Sequence, residues 1–267
     1  MIIEMLVLID ERLECRFEAK LNRTRGYQIC IMLDSTVSCY EDHAEAYDRY
    51  QEAVVPGYRE MLGLVGDACR RYLRPNCRII DLGCGTGNAS LAVLEKLPAK
   101  IFLIDGSQKM VSAAERKIGK TSMDAIMGTK VANIAEEGWS EGLEARTFDA
   151  IISTLVLEHL PFDSYRSAVQ ESFQLLKPGG WLIAVEGYDE PHSDMREWFG
   201  EEMEARSRKL DWKFSESIAR LRDEKEIHYY CSKAEKQKWW REAGFSHVNV
   251  LWQYLCIALM VGRKPHY

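Results

Sequence analysis

From Asp42 to Leu73 apolar residues recur at helical spacing, interrupted once at Pro56-Gly57. Met61, Val65, Ala68, Cys69 and Tyr72 fall on one stripe, which predicts a helix laid against a core. Pro75-Asn76 stops it. Beyond that point short apolar runs alternate with amphipathic stretches. Cys77–Leu82, Ile101–Ile104, Phe148–Thr154 and Trp181–Val185 read as strands, with a fainter one near Ala125–Met127. Between them Ala89–Leu97, Lys109–Ile118 and Tyr165–Leu176 read as helices. Continuous apolar strands separated by helices predict a parallel sheet covered on both faces. Ser232–Ala243 then reads as a helix ended by Gly244, and His247–Trp252 with Leu255–Gly262 as a closing antiparallel hairpin.

Two segments break this rhythm. Residues 1–38 mix an apolar run with charged residues and predict a weakly packed extension to a domain spanning 39–267. Residues 188–231 are charged and aromatic-rich, carrying Trp198, Phe199, Trp212, Phe214, Tyr229 and Tyr230. They read as one or two helices inserted before the end of the sheet, their aromatic residues either lining a pocket or packing over the sheet. A length of 267 residues suits one α/β domain with a lid helix (about 42–73) and this insertion.

Charge and composition narrow the function classes. The net charge of −6 provides no global basic field to gather nucleic acid. No apolar run approaches the roughly 18–20 residues of a membrane span. The first ten residues, MIIEMLVLID, carry Glu4 and lack the basic start and cleavage site of a signal peptide. Eight cysteines without zinc-like pair spacing suit free thiols in a reducing compartment, with no metal centre. The expectation is a cytoplasmic protein with neither a membrane nor a nucleic-acid partner.

The strongest chemical signal is Ile79-Ile80-Asp81-Leu82-Gly83-Cys84-Gly85-Thr86-Gly87-Asn88, a glycine turn between a buried strand and a helix. Such a loop lets a ligand approach the backbone at the carboxyl edge of a parallel sheet. The dinucleotide fingerprint needs glycine where Asn88 stands, and a Walker loop needs a Gly-Lys-Ser/Thr end that is absent. Asp105 ends the strand Ile101–Ile104, 22 residues after Gly83. A carboxylate there can accept bonds from both hydroxyls of a ribose, or cap the next helix as a turn aspartate.

An acidic residue followed by Gly-x-Gly-x-Gly resembles the first motif of the class I S-adenosylmethionine-dependent methyltransferases. Phe148–Thr154 with Leu157-Glu158-His159-Leu160 resembles that family's fourth strand, Leu176-Lys177-Pro178-Gly179-Gly180-Trp181-Leu182 the turn into its fifth, and Ala243-Gly244-Phe245 the start of its final hairpin. The resemblance covers about residues 40–263. It implies a Rossmann-like α/β fold with a seven-stranded, mainly parallel sheet and a C-terminal antiparallel hairpin. It also implies S-adenosyl-L-methionine as cofactor and a small-molecule acceptor. Carried over by position, Asp81 opens the cofactor loop, and Gly83, Cys84 and Gly85 border the ribose and methionine parts. Asp105, followed by Gly106, binds the ribose, and Met110 lies near the adenine. Asn133, with Ile134 beside it, takes a place where the family commonly has an aspartate. Ser153 and Thr154 face the methionine end. Upstream, Ala46-Tyr47-Asp48 and Val55-Pro56-Gly57-Tyr58 resemble a helix that folds over the cofactor, the latter run also resembling carboxy-S-adenosylmethionine synthases. Tyr47 is the expected ring against the cofactor.

Methyl transfer from a sulfonium needs alignment and exclusion of water more than a catalytic dyad. His159, Tyr58 and His192 are candidate bases for an acceptor that starts protonated, with His228 beside the insertion. Glu186 and Tyr188 follow the fifth strand, where acceptor contacts are often found in the family. Two alternatives stay open. One is other chemistry on the same cofactor, carboxylation or cyclisation, the former calling for a basic residue such as Arg196, Arg220 or Arg222. The other is a non-catalytic cofactor-binding subunit. Neither the acceptor nor the oligomeric state is written in the sequence.

Overall fold

A computed structural model describes residues 47–207 and 229–266. The helical stripe before the first strand is two helices, α1 (Tyr47–Val54) and α2 (Tyr58–Tyr72). Gly57, at φ 68°, breaks them apart where the sequence predicted an interruption. On α2 the buried side chains include Met61, Val65, Ala68 and Cys69, and Tyr72 stacks on Trp181 at 4.1 Å between ring centres.

Strands and helices then alternate: β1 (Cys77–Leu82), α3 (Asn88–Leu94), β2 (Ala99–Asp105), α4 (Gln108–Ser122), β3 (Ile126–Val131), β4 (Phe148–Thr154), α5 (Phe162–Leu175) and β5 (Leu176–Gly187). After them come α6 (Ser193–Ser207), α7 (Lys233–Glu242), β6 (Ser246–Tyr254) and β7 (Ile257–Arg263). The seven strands form one sheet in the order β3-β2-β1-β4-β5-β7-β6. The first five run parallel, and β7 pairs antiparallel with both β5 and β6. This is the expected Rossmann-like architecture.

Alternation along β4 explains the two-sided core. Ala150 and Ile152 face one layer with Met61, Val65, Val93 and Ile118; Ile151 faces the other with Leu82, Tyr165, Val169 and Trp240. Side chains at successive strand positions point to opposite faces, so a strand covered by helices on both sides is apolar throughout. Several boundaries differ from the sequence expectation. β5 begins at Leu176 rather than Trp181, because Phe148 pairs with Leu176 before a register shift carries the chain past Gly179. β3 is longer than the fainter run suggested, and α3 ends at Leu94 rather than Leu97. Ser232 caps α7 through a reciprocal capping box with Glu235.

Of the inserted segment, α6 lies within the described residues and packs against α1. Trp212, Phe214, Arg220, Arg222 and His228, together with residues 1–38, lie outside them. No helix among the described residues is long and apolar enough to cross a membrane. Cys69, Cys77, Cys84, Cys231 and Cys256 are free thiols.

Candidate functional site

The sheet order reverses between β1 and β4, since β2 and β3 lie to one side of β1 and β4 and β5 to the other. At that point the loops leaving adjacent carboxyl ends diverge and leave a crevice. A cleft of about 710 Å³, its mouth included, opens there. The β1 loop contributes Gly83 and Gly85, the β2 end Asp105, Gly106, Ser107 and Met110, and the loop after β3 Asn133 and Ile134. The segment after β4 adds Leu155, Val156, His159 and Leu160, and Tyr47 of α1 covers the opening.

Backbone geometry requires glycine in this loop. Gly83 has φ 72°, and a Cβ on it would lie 2.4 Å from a methyl carbon of Val156. Its N–H and that of Cys84 both donate to the Ile104 carbonyl, at 2.7 and 2.9 Å, which pins the loop to the end of β2. Gly85 leaves its Cβ space facing the Tyr47 ring, 3.6 Å away.

Asp105 joins the loop to α4. One carboxylate oxygen accepts the Gly85 N–H and the other the Ser107 N–H, both at 2.9 Å. Ser107 in turn caps α4 through Met110 N–H. Asp105 is therefore a turn aspartate, and it also lines the cleft.

A smaller cavity of about 280 Å³ shares Tyr47, Gly83, Gly85 and Leu155 with the cleft and adds Tyr58, Cys84, Thr86, Asn88, Ala89 and Thr154. Leu155 stands at φ 58°, an uncommon conformation for a side chain branched at Cγ, held by its N–H to the Val185 carbonyl at 2.8 Å. This turn carries the chain out of β4 and across the mouth between the two cavities. Burial pushes the Tyr58 phenol up to about 12, against the bond from Asn88 that favours its ionised form. Burial, with Asp105 and Asp81 adding to it, raises the Cys84 thiol well above its ordinary value. Both groups are neutral at neutral pH and cannot serve as resting anionic bases.

Asp81 sits behind the wall. It is fully buried, accepts the Ser90 hydroxyl at 2.5 Å, and lines neither cavity. Its other oxygen has no hydrogen-bond partner among the described residues. Burial, opposed by Ser90 and assisted by Asp105, pushes its carboxyl up to about 7. Ser153 is likewise turned away, donating to the Leu82 carbonyl at 2.9 Å across β1 and β4. The structure thus gives both residues a role in fixing the loop from behind.

A second polar group lies beneath the carboxyl end of β5. Glu186 and Lys236 form a fully buried ion pair, and Glu186 also accepts the Tyr165 hydroxyl at 3.1 Å. Trp240 N–H donates to that same hydroxyl at 2.8 Å, and the Lys236 ammonium lies 4.9 Å from the Tyr165 and Tyr188 ring centres. Glu158 accepts Gly187 N–H at 3.3 Å, while its second oxygen and the Tyr188 hydroxyl have no partner among the described residues. Burial pushes Glu158 up to about 8, against the attraction of Lys236. Glu186 and Tyr188 are buried beneath the carboxyl end of β5 and line neither cavity.

Of the remaining expected residues, Tyr47, Gly83, Gly85, Asp105, Gly106, Met110, Asn133 and Ile134 converge on the cleft, and Cys84, Tyr58 and Thr154 on the adjoining cavity. The Asn133 amide oxygen accepts Ala135 N–H at 3.1 Å. His159, 9% exposed, lines the cleft. His192 is exposed just before α6 and lines neither cavity, so the structure does not bring it to the site. Sequence reasoning missed Ser107, Leu155, Val156 and Leu160. It also missed Asp48, Thr86, Asn88 and Lys117, which meet in one hydrogen-bonded group.

Comparison with known proteins places this geometry. Residues 79–180 match the family described as a methyltransferase domain. Over 251 residues the chain is 27% identical to a carboxy-S-adenosyl-L-methionine synthase of Chromohalobacter salexigens, covering 93% of this chain and 87% of that protein. Against a synthase of the same name from Shewanella amazonensis it is 29% identical over 135 residues, 49% of this chain and about half (53%) of that protein. Among solved structures, Burkholderia thailandensis 1,6-didemethyltoxoflavin-N1-methyltransferase, bound to 1,6-didemethyltoxoflavin and S-adenosylhomocysteine, aligns with a TM-score of 0.61. The match covers 93% of each chain at 14% identity, a likeness of fold.

Proposed function

The chain being a class I S-adenosylmethionine-dependent methyltransferase-like protein, we propose that it transfers the methyl group of S-adenosyl-L-methionine to a small acceptor without a strong negative charge. The observation that carries this is the lining of the two cavities. Among the described residues it includes no lysine or arginine, and its ionisable groups are Asp105, His159, Cys84, Tyr47 and Tyr58. An acceptor bearing a carboxylate or phosphate would meet no lysine or arginine among the described lining residues, only His159 and the donor's own sulfonium.

The residues present fit the donor. The glycine loop leaves backbone approach at Gly83 and Gly85, Asp105 lines the cleft where ribose hydroxyls would lie, and Met110, Ile134, Leu155, Val156 and Leu160 offer apolar surface for a purine. When bound, S-adenosylmethionine supplies a methyl group already activated by the sulfonium charge. The chain's part is to hold Asp105 toward the ribose, to close Tyr47 over the opening, and to keep water out with the side chains after β4. Alignment and desolvation of this kind contribute most of what an in-line displacement needs. Where the acceptor begins protonated, His159 is the group placed in the cleft to take the proton.

A second reading, carboxylation of the donor's methyl group, is favoured by the name of the relative matched over 93% of this chain. It calls for a cation opposite a carboxylate. Arg196 is engaged elsewhere, donating to the Glu190 carbonyl at 3.0 Å and lying 3.9 Å from Asp189. Product analysis separates the readings. Incubated with S-adenosylmethionine and a pool of small metabolites, the protein should release S-adenosylhomocysteine and a methylated compound, detected by mass spectrometry. A carboxylated form of the donor as the product, without S-adenosylhomocysteine, would overturn methyl transfer in favour of carboxylation. Methylthioadenosine would overturn both.

A further inference from the structure

The cover over the cleft is fastened at one point. Lys117, on α4, directs its ammonium at three oxygens from different elements: the Asp48 carboxylate of α1, the Thr86 hydroxyl of the glycine loop at 2.9 Å, and the Asn88 amide oxygen at the start of α3 at 2.8 Å. An ammonium has three donors, and each has an acceptor here. Asp48 also accepts from the Thr86 hydroxyl and from the Asn88 amide nitrogen at 2.9 Å. That amide nitrogen donates to the Tyr58 hydroxyl at 2.9 Å as well. Side chains of α1, α2, the glycine loop, α3 and α4 thus share one network.

Its position gives it a consequence for the donor. Asp48 follows Tyr47, the residue of α1 that faces Gly85 and lines both cavities. Thr86 and Asn88 flank Gly87 on the other side of the same cavity wall. α1 has eight residues, too few to hold its own helix in water. Its placement must come from tertiary contacts. The Lys117 and Asp48 side chains are 28% and 44% exposed, sheltered enough for charge-assisted bonds to count and open enough for the network to release.

We propose that Lys117 is a positioning residue for donor binding: it latches Asp48 to Thr86 and Asn88 and thereby holds Tyr47 over the cleft. The proposal rests on the reading that the cleft takes S-adenosylmethionine under Tyr47. Lys117 lines neither cavity, so it acts through the others and touches no reacting atom.

The test uses the full chain and S-adenosylhomocysteine as probe. Lys117→Met removes the charge and keeps most of the apolar stem. It should weaken S-adenosylhomocysteine binding by calorimetry about tenfold, the worth of one or two charge-assisted bonds. In the ligand-free protein it should speed amide hydrogen exchange across residues 47–54 while leaving β1, β2 and β4 as protected as before. The reciprocal exchange Asp48→Lys with Lys117→Asp should recover part of both effects, which a merely structural lysine would not allow. If Lys117→Met fails to fold, Asp48→Asn is read in the same two assays with the same expectation. Unchanged affinity and unchanged exchange across 47–54 overturn the latch. Asp105→Ala separates this from failure of the site: lost binding there with none lost in the Lys117 variant sinks the latch alone, and no loss in either sinks the donor site with it.

Discussion

Gly83→Ala tests the glycine loop at its tightest point. An alanine there would adopt φ 72°, a left-handed conformation that costs about 1–2 kcal/mol once a Cβ is present. The added carbon would also lie 2.4 and 2.5 Å from the two methyl carbons of Val156 and 2.9 Å from its Cβ. Rotating the valine cannot clear all three, so backbone after β4 must move, at about 1–3 kcal/mol for overpacking. The two costs sum to about 2–5 kcal/mol, a large share of the about 5–15 kcal/mol that holds such a domain. Denaturant unfolding followed by tryptophan fluorescence reads this directly. Val156→Ala in the same chain removes the two methyl contacts and leaves the 2.9 Å approach to its Cβ and the φ cost, so the double variant should be less destabilised than the two single changes added together, by about 1–3 kcal/mol. Because Val156 lines the cleft, Gly83→Ala should also weaken S-adenosylhomocysteine binding, and Val156→Ala in the same chain should restore part of it. Stability of Gly83→Ala within about 1 kcal/mol of wild type, or strict additivity in the cycle, refutes the steric account.

Other outcomes follow from the same structure. Asp105→Ala removes the acceptor for Gly85 and Ser107 N–H together with any ribose contact, and should weaken S-adenosylhomocysteine at least about tenfold; calorimetry showing wild-type affinity counts against the site. Glu158, pushed up to about 8 by burial, stays protonated in the folded chain at pH values where the unfolded chain ionises from 4.5 upward. Folded molecules therefore bind the extra proton, and this group's contribution to stability falls as pH rises from 4.5 to about 8. Glu158→Gln should flatten that fall, by up to a few kcal/mol; parallel stability–pH curves for the two proteins would contradict it. Asp81 slopes the same way but is present in both proteins, so the difference isolates Glu158. Lys236→Met strands the buried Glu186 charge and should cost about 3–5 kcal/mol, most of it recovered by adding Glu186→Gln. A melting temperature unchanged in Lys236→Met would show the pair to be dispensable.

How much of this was legible in the sequence depended on whether the constraint was local. β4 was found to the residue because Phe148, Ala150, Ile151 and Ile152 form an apolar run buried on both faces and closed by Ser153-Thr154. The glycine loop was legible because positive φ and backbone approach are demands placed on consecutive residues. Asp105 was legible for the same reason, although its sequence signal did not distinguish ribose binding from a turn, and the structure gives it the turn bonds while leaving it on the cleft. Ser153 and Asp81 were read as cleft residues from position alone. Their burial behind the loop depends on Leu82 and Ser90, partners that no run of residues announces. Glu186 was expected at an acceptor because it follows β5, but Lys236, fifty positions on, claims it.

The same distinction explains why the donor was readable and the acceptor was not. On the reading proposed above, a donor approached by the glycine backbone and met by a turn carboxylate and apolar side chains makes demands that nearby residues meet together, so its record is contiguous. The latch links Asp48 to Lys117 across 69 positions, and each residue taken alone is an ordinary polar side chain on a helix surface. On the proposed reading, acceptor choice rests with the walls around His159 and Tyr47, which are supplied by β4's exit and by α1. None of these has a backbone conformation that fixes its residue types, apart from Leu155 at its positive φ. Substitution there changes shape and polarity without disturbing the sheet, which is the physical condition for one donor site to serve different acceptors. It follows that exchange of His159, which the donor reading does not use, should alter which acceptor is methylated more than how the donor is held, whereas exchanges at Gly83, Asp105, Val156, Leu160 or Tyr47 should impair every reaction the chain performs alike.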